Sequence, residues 1–273
     1  MDKIAASENA DNQNIDEFKA FLSQNDRLRS LGSRGNQPKW FDGNFWYKAD
    51  NCGYEGLAEY ICSELLRASN IKSYASYTPV LITEIESAKE FKGCKSPDFG
   101  TIITGEVILL NLPEKYNVFL NPCGSLKKDI FTFCDGIKKV FGVDITSELL
   151  AMLQFDLIVG NEDRILRNFG LKQLDNKYCF APLFDHGISL LADITTSERH
   201  ENIEDVVYQP FNYRRDHGSA LEALNIQPLI IDLDKFERHI SSIPVYDKST
   251  VNRALNVLRQ SLTETEGKLW VKL

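Results

Sequence analysis

Hydrophobic and polar positions along the first hundred residues predict a small β-sheet that carries one helix. Asp42 and Gly43 stand between two aromatic runs, which is typical of a hairpin turn, and the second strand of this hairpin ends with residues 46–49. Residues 54–68 repeat apolar side chains at helical spacing, whereas residues 73–83 alternate and are rich in Tyr, Thr, Val and Ile. We therefore expect a helix over 54–68 and a strand over 73–83.

The pattern becomes helical in the second half of the chain. Residues 126–141 place apolar side chains on one face, while residues 145–158 are apolar on nearly all sides, so the second helix should be buried. Gly160 is a good stop signal for that helix. Further helices are expected near residues 217–225, 233–241 and 248–262. A β-rich first lobe followed by a helical second lobe is an α+β arrangement with a cleft between the lobes.

Composition and charge exclude several classes of protein. The 31 Lys and Arg residues against 39 Asp and Glu residues give a formal charge of −8, so we expect no direct nucleic-acid binding. The apolar runs are too short to cross a bilayer, and the first residues lack the features of a secretory signal. The six cysteines occur singly, which predicts reduced thiols and a cytoplasmic location. Residues 1–14 are small and polar and predict a disordered tail.

The most informative stretch of the sequence follows the buried helix. Asp163 and Asn168 lie five residues apart in a polar loop, and two short strands joined by a turn come next, with Asp185 after the second strand. If Gln173 pairs with Tyr178 across the turn, Asn168 and Asp185 leave this hairpin at the same end, one loop away from Asp163. The sequence therefore predicts two carboxylates and one amide around a single point.

Oxygen donors of this kind suit a Mg²⁺ ion that is bound mainly through phosphates and water. Phosphoryl transfer needs one carboxylate that orients the attacking hydroxyl and accepts its proton, and Asp163 fits this role. It also needs ligands for the metal, and Asn168 and Asp185 fit that second role. The alternative interpretation is that each residue only stabilises a loop or a turn, which is the usual role of a single Asp or Asn.

The first lobe contains residues that would complete a site for phosphates. Lys48 ends an aromatic strand and could reach nucleotide phosphates, and Glu59 on the following helix could orient it by an ion pair. Glu55 is a competitor for that pairing. The loop 32–36 (GSRGN) could lie over phosphates with its backbone N–H groups. The alternatives are a solubilising lysine at a sheet edge and a solvated helix face.

In this order the residues resemble the HipA-like serine/threonine kinases, which are related to the phosphatidylinositol kinase fold. The resemblance extends over about residues 28–265 and is most specific in GNEDRILRNFGL and APLFDHGISLL. It implies a two-lobed, protein-kinase-like α+β fold with a small β-rich N-lobe, residues 15–115, and a larger helical C-lobe, residues 116–273. The implied site residues are the catalytic base Asp163, the Mg²⁺ ligands Asn168 and Asp185, the ATP-phosphate contact Lys48 with its partner Glu59, and the loop residues Ser33 and Gly35.

The resemblance also implies cofactors and partners. ATP and Mg²⁺ would be the cofactors, the substrate would be a protein with a Ser or Thr acceptor, and Ser33 would be a candidate for autophosphorylation. An antitoxin-like protein is the implied regulatory partner, and no membrane association is expected. The adenine would contact the segment between the lobes, around residues 93–99.

One departure from the family pattern keeps other functions open. The family usually has His two residues after the catalytic Asp, and Ile165 stands there in this chain. A pseudokinase that binds nucleotide without transferring phosphate is therefore one alternative, and a small-molecule or lipid kinase is another. Arg164 and Arg167 are interpreted as exposed residues that steer an acidic substrate or solvate a surface.

Overall fold

The computed structural model describes most of the chain. The described residues are 19–23, 27–28, 37–119, 125–197, 203, 211, 227–240 and 243–273. Several sequence predictions lie outside them: the tail 1–14, the loop residues Ser33 and Gly35, and the helix near 217–225.

Six described strands form the sheet of the first half. They are β1 (Lys19–Leu22), β2 (Arg27–Leu28), β3 (Lys39–Phe41), β4 (Phe45–Ala49), β5 (Thr78–Glu84) and β6 (Lys89–Pro97). Their order across the sheet is β1-β5-β6-β4-β3-β2, in which β1 pairs with β5 in parallel and the other neighbours are antiparallel.

The predicted hairpin joins β3 and β4. Its Asp42 side chain accepts hydrogen bonds from the backbone N–H groups of Asn44 and Phe45, at 2.8 and 2.7 Å, and Gly43 has a φ of +98°. Trp40 and Tyr47 pair across the strands and are buried with the residues of one small core. Because side chains alternate along a strand, the residues next to them belong to the opposite face of the sheet.

Helix α1 (Glu55–Arg67) follows β4 and confirms the predicted helix to within one residue at each end. It lies against β6 at a contact between two glycines. A Cβ atom on Gly56 would lie 2.7 Å from the Cα atom of Gly93, so no larger residue fits at this crossing. The close approach fixes where Glu59, one turn further along the helix, stands relative to the sheet.

The helices of the second half enclose the main core. They are α2 (Gly105–Asn111), α3 (Leu126–Phe141), α4 (Thr146–Val159), α5 (Ile194–Ser197), α6 (Leu233–His239) and α7 (Lys248–Thr265). As predicted, α4 is buried over nearly its whole length and ends at Gly160, which has a left-handed φ of +64°. The Ser261 hydroxyl of α7 donates to the Ile158 carbonyl at 2.6 Å, which ties the last helix to α4.

The hairpin predicted after α4 is present, with β8 (Gly170–Leu174) and β9 (Lys177–Phe180). Gln173 lies opposite Tyr178, as predicted, and the turn residues Asp175 and Asn176 have φ values of +45° and +61°. Strand β7 (Ile102–Thr104) adds to β8 as a third strand. Two further strands, β10 (Leu229–Ile231) and β11 (Trp270–Lys272), pair in parallel near the end of the chain.

The predicted strand over 73–83 is wrong in its first part. Strand β5 begins only at Thr78, because the preceding residues bond to the segment after β9. The Ala75 N–H donates to the Leu183 carbonyl at 2.8 Å, and the Leu183 N–H donates to the Ser73 carbonyl at 3.0 Å. The alternating pattern over residues 73–77 thus correctly indicates extended backbone. It does not indicate the hydrogen-bond partner of this backbone, which lies far away in sequence.

The pairing of β7 with β8 associates residues 102–104 with the second half of the chain. The lobe boundary at residue 115 stays a prediction, and this pairing favours an earlier one, between β6 and β7. Within the described part of the chain, no helix is long and apolar enough to cross a membrane.

Candidate functional site

One cavity contains the three polar residues that the sequence predicts to converge, Asp163, Asn168 and Asp185. It is lined by Gln37, Glu55, Asp163, Asn168, Asp185, Gly187 and Ile188. Asp163 and Asn168 come from the loop between α4 and β8, and Asp185 comes from the segment after β9. The predicted convergence of two carboxylates and one amide at the end of the hairpin is therefore present.

Lys48 reaches the same place from the sheet. Its Nζ atom lies 2.5 Å from Oε1 of Glu59 and 2.6 Å from Oδ1 of Asp185. Burial alone would lower the pKa of Lys48, but the carboxylates of Asp185 and Glu59 outweigh it and raise that pKa well above its usual value. Burial alone would likewise raise the pKa of Asp185, yet Lys48 and then Lys39 hold it well below its usual range. The site therefore contains a charged Lys48 and an ionised Asp185.

The choice between Glu59 and Glu55 as the partner of Lys48 is resolved by their hydrogen bonds. The Glu55 carboxylate accepts from the backbone N–H groups of residues 51–53, at 2.6 to 3.1 Å, so it stabilises the turn before α1. Glu59 instead accepts from Lys48 and, through Oε2, from the His186 N–H at 2.8 Å. Glu59 thus connects Lys48 to the residue that follows Asp185.

Hydrogen bonds of the Asn161 and Asn168 side chains stabilise the loop after α4. The Asn168 side chain donates from Nδ2 to the Asp163 carbonyl at 2.8 Å, and the Asp163 N–H donates to Oδ1 of Asn161 at 3.1 Å. Asn161 in turn donates to the buried carboxylate of Asp156 at 2.8 Å. These bonds fix the backbone of Asp163 and leave the Oδ1 atom of Asn168 available to a ligand in the cavity.

The prediction for Arg164 is wrong, because this arginine does not lie at the surface. Its side chain is fully buried. Its guanidinium binds both oxygens of the Asp156 carboxylate, at 2.7 and 2.9 Å, and also the carbonyls of Asn168 and Phe184. Those carbonyls belong to one predicted metal ligand and to the residue before the other, so Arg164 positions both.

Arg167, in contrast, is half-exposed and pairs with Glu106 on α2 at 2.5 Å. The only signal in the sequence that separates the two arginines is Asp156, a carboxylate within an otherwise apolar helix eight residues before Arg164. A buried carboxylate needs a buried cation, and only one of the two can reach it.

Asn168 and Asp185 fit a magnesium ion that also binds phosphate and water. Both residues line the same cavity and carry side-chain oxygens, and oxygen is the donor atom that Mg²⁺ prefers. Among the described residues no group of three or more His, Cys, Asp or Glu side chains is placed to hold a metal by protein ligands alone. This arrangement is suited to a metal that arrives with its phosphate ligand, as is usual for Mg²⁺.

The sequence matches no protein-family model and no curated protein. Solved structures do match. The Helicobacter pylori proinflammatory kinase CtkA superposes with a TM-score of 0.58 at 17% identity, over 87% of this chain and 91% of that chain. The protein has a kinase fold.

A second match supports the same assignment of fold. A chain of the Shewanella oneidensis MR-1 toxin–antitoxin complex of HipA, HipB and operator DNA superposes with a TM-score of 0.54 at 13% identity. The match covers 85% of this chain and 64% of that one. The predicted two-lobed, kinase-like α+β fold and the HipA-like resemblance at the level of fold are therefore confirmed.

Proposed function

We propose that this protein is an ATP- and Mg²⁺-dependent protein serine/threonine kinase of the HipA-like type. The observation that carries the proposal is the single cavity in which Asp163, Asn168 and Asp185 meet, with Lys48 reaching Asp185 from the sheet. Kinase folds place the residues of phosphoryl transfer in this way, with positioning and charge stabilisation supplying nearly all of the catalysis.

Each residue has a distinct role in the proposed reaction. The Asp163 carboxylate accepts the proton of a Ser or Thr hydroxyl as its oxygen attacks the γ-phosphorus, and ADP leaves with the electron pair of the broken P–O bond. Asn168 and Asp185 would hold Mg²⁺, which when bound neutralises phosphate charge. Lys48 contacts the nucleotide phosphates, and Glu59 keeps its ammonium group at the cavity.

The substrate, the partner and the cellular location of the proposed kinase rest on separate observations. A protein substrate is favoured by the resemblance to HipA-like kinases, and phosphoryl transfer by the fold shared with the kinase CtkA. The Shewanella structure is a complex of HipA with HipB, which supports an antitoxin-like partner for this chain. A cytoplasmic location is proposed with that partner. Ile165 favours a second candidate, a pseudokinase that binds nucleotide only.

The proposal is tested with purified protein, labelled ATP and Mg²⁺, in the presence of lysate proteins. Asp163→Asn should lower phosphate transfer about 10²–10⁴-fold, because only the general base is lost, while ATP still raises the melting temperature. Asp175→Asn is the matched control, since Asp175 lies in the exposed turn between β8 and β9, where Asn also tolerates a positive φ. It should transfer phosphate at the wild-type rate.

The possible results separate the candidates. Label on a lysate protein, or on Ser33 by phosphopeptide mapping, supports a protein kinase. Full turnover by Asp163→Asn contradicts the role of Asp163. Wild-type protein that is stabilised by ATP but labels nothing supports the pseudokinase, and label found only on small molecules supports a small-molecule kinase.

A further inference from the structure

A second lysine lies beside Lys48 on the same face of the sheet. Lys39 of β3 lies directly opposite Lys48 of β4 in the antiparallel register. Residues directly opposite each other have Cβ atoms about 5 Å apart and project from the same face of the sheet. Trp40 and Tyr47, their neighbours in sequence, are buried in the core on the other face.

The cavity itself extends to the segment just before the strand that carries Lys39. Gln37, two residues before Lys39, is one of the residues that line it. Lys39 is partly buried and interacts electrostatically with both Asp185 and Glu59. Burial lowers the pKa of Lys39, and the charge of Asp185 only partly offsets this effect. The position of Lys39 therefore follows from strand register, cavity lining and charge together.

The net charge around Lys48 is negative, so the binding of phosphates there would require a second cation. The Lys48 ammonium is shared by two carboxylates, Glu59 and Asp185, so these three groups together carry one formal negative charge. Asp163 and Glu55 add two more at the cavity wall. The Lys39 side chain, in contrast, forms no hydrogen bond or ion pair with the part of the chain that the structure describes. Its charge acts on Asp185 and Glu59 from a distance, without the direct contacts that hold the Lys48 ammonium.

We propose that Lys39 is a second phosphate-binding residue of the nucleotide site. It supplies positive charge for the phosphates, because the ammonium group of Lys48 is already paired with Glu59 and Asp185. This inference rests on the proposed function. It predicts that Lys39 discriminates between nucleotides by their phosphates and contributes nothing to the binding of the base or the ribose.

The test is the binding of ATP, ADP and adenosine, measured by calorimetry with Mg²⁺ present, to wild-type protein and to three variants. Lys39→Met should weaken ATP and ADP binding about ten- to a hundredfold, the range for a hydrogen bond to a charged group, and leave adenosine binding unchanged. Lys39→Arg should keep most of the affinity for ATP.

Lys95→Met is the matched control. Lys95 lies on β6 opposite Tyr47, on the other face of the sheet, with its Nζ atom 5.5 Å from the centre of the Phe45 ring. It should bind all three ligands as the wild type does. Circular dichroism and melting curves establish that each variant is folded before binding is compared.

The results distinguish this inference from the proposed function. If wild-type protein binds ATP and the folded Lys39→Met variant binds it equally well, Lys39 is not a phosphate contact, while the kinase proposal stands. If Lys39→Met weakens adenosine as much as ATP, its effect is structural and the inference also fails. If the wild type binds no nucleotide, both proposals are overturned together.

Discussion

The geometry of the candidate site depends on Arg164, a buried residue that does not line the cavity. Its guanidinium connects the buried Asp156 of α4 to the backbone on either side of the cavity, at Asn168 and Phe184. A planar group with five donors can make these contacts at once, and a lysine ammonium cannot. The loop and the segment that carries Asp185 are thus held by one side chain.

Replacing Arg164 should therefore destabilise the protein strongly. Arg164→Met leaves Asp156 charged and unpaired in the core, and the free energy of unfolding should fall by about 3–5 kcal/mol. Arg164→Lys should be less destabilising, because it keeps the charge but loses most of the hydrogen bonds. Urea denaturation measures both changes, with Arg167→Met as the control at an exposed pair. Equal stability of Arg164→Met and the control would contradict this account.

Asp50 is a second residue with an unusual environment. It is largely buried at the start of α1, where Oδ1 accepts from the Gly56 N–H at 2.7 Å and Oδ2 has no hydrogen-bond partner within the described structure. Burial raises the pKa of Asp50 to about 7, even though the Gly56 N–H opposes this effect.

The raised pKa makes stability depend on pH in a defined direction. The folded state binds the Asp50 proton more tightly than the unfolded state does, so between about pH 4 and pH 7 the contribution of Asp50 to stability falls as pH rises. Below this window both states are protonated, and above it both are ionised. Urea denaturation across pH 4–8 should show this fall in the wild type and a weaker one in Asp50→Asn. Identical pH profiles would contradict the prediction.

At the scale of elements, the contact between α1 and β6 decides whether Glu59 meets Lys48. The two glycines at this crossing let the helix approach the strand at backbone distance. This contact could not be predicted from periodicity, which located α1 within one residue but says nothing about its distance from the sheet. The error at residues 73–77 has a similar cause, because their partner, Leu183, lies more than a hundred residues away.

Gly56→Ala should push α1 away from β6. The added methyl group meets the backbone of Gly93 and the hydroxyl of Tyr246, neither of which can move freely. We expect the free energy of unfolding to fall by about 1–3 kcal/mol and Mg·ATP to bind more weakly, since Glu59 moves with the helix. Denaturation and calorimetry measure the two effects. Lys128→Ala, at an exposed position of α3, should change neither.

The site shows the same limit: sequence patterns predict arrangements within one local segment, but they do not predict contacts between distant segments. Asn168 and Asp185 flank one hairpin and Asp163 lies in the loop just before it, so a register prediction was enough to bring them together. Lys39 was missed because its position depends on which strands become neighbours in the six-stranded sheet. The roles of Arg164 and Arg167 could not be separated by spacing, because burial of one of them depends on α4.

For the whole molecule, the bond between Lys48 and Asp185 joins the six-stranded sheet to the three-stranded one. Lys48 belongs to β4, and Asp185 follows β9. A ligand that contacts both residues connects β4 to the segment that follows β9, so binding should stabilise the protein as a unit.

Asp185→Ala should weaken this link and the proposed metal site together. We expect the rise in melting temperature with Mg·ATP to be lost and phosphate transfer to fall with it, whereas Asp163→Asn keeps the thermal shift. Thermal shift and labelling assays on the same preparations separate the two roles. A full thermal shift for Asp185→Ala would contradict the assignment of Asp185 to the metal.

The buried pair of Asp156 and Arg164 also has an evolutionary consequence. Loss of either residue leaves its partner charged in the core, so single substitutions at these positions should be eliminated by selection. Homologues with this fold should keep both residues or replace both with apolar ones. Positions 156 and 164 should therefore covary, although neither side chain reaches the substrate.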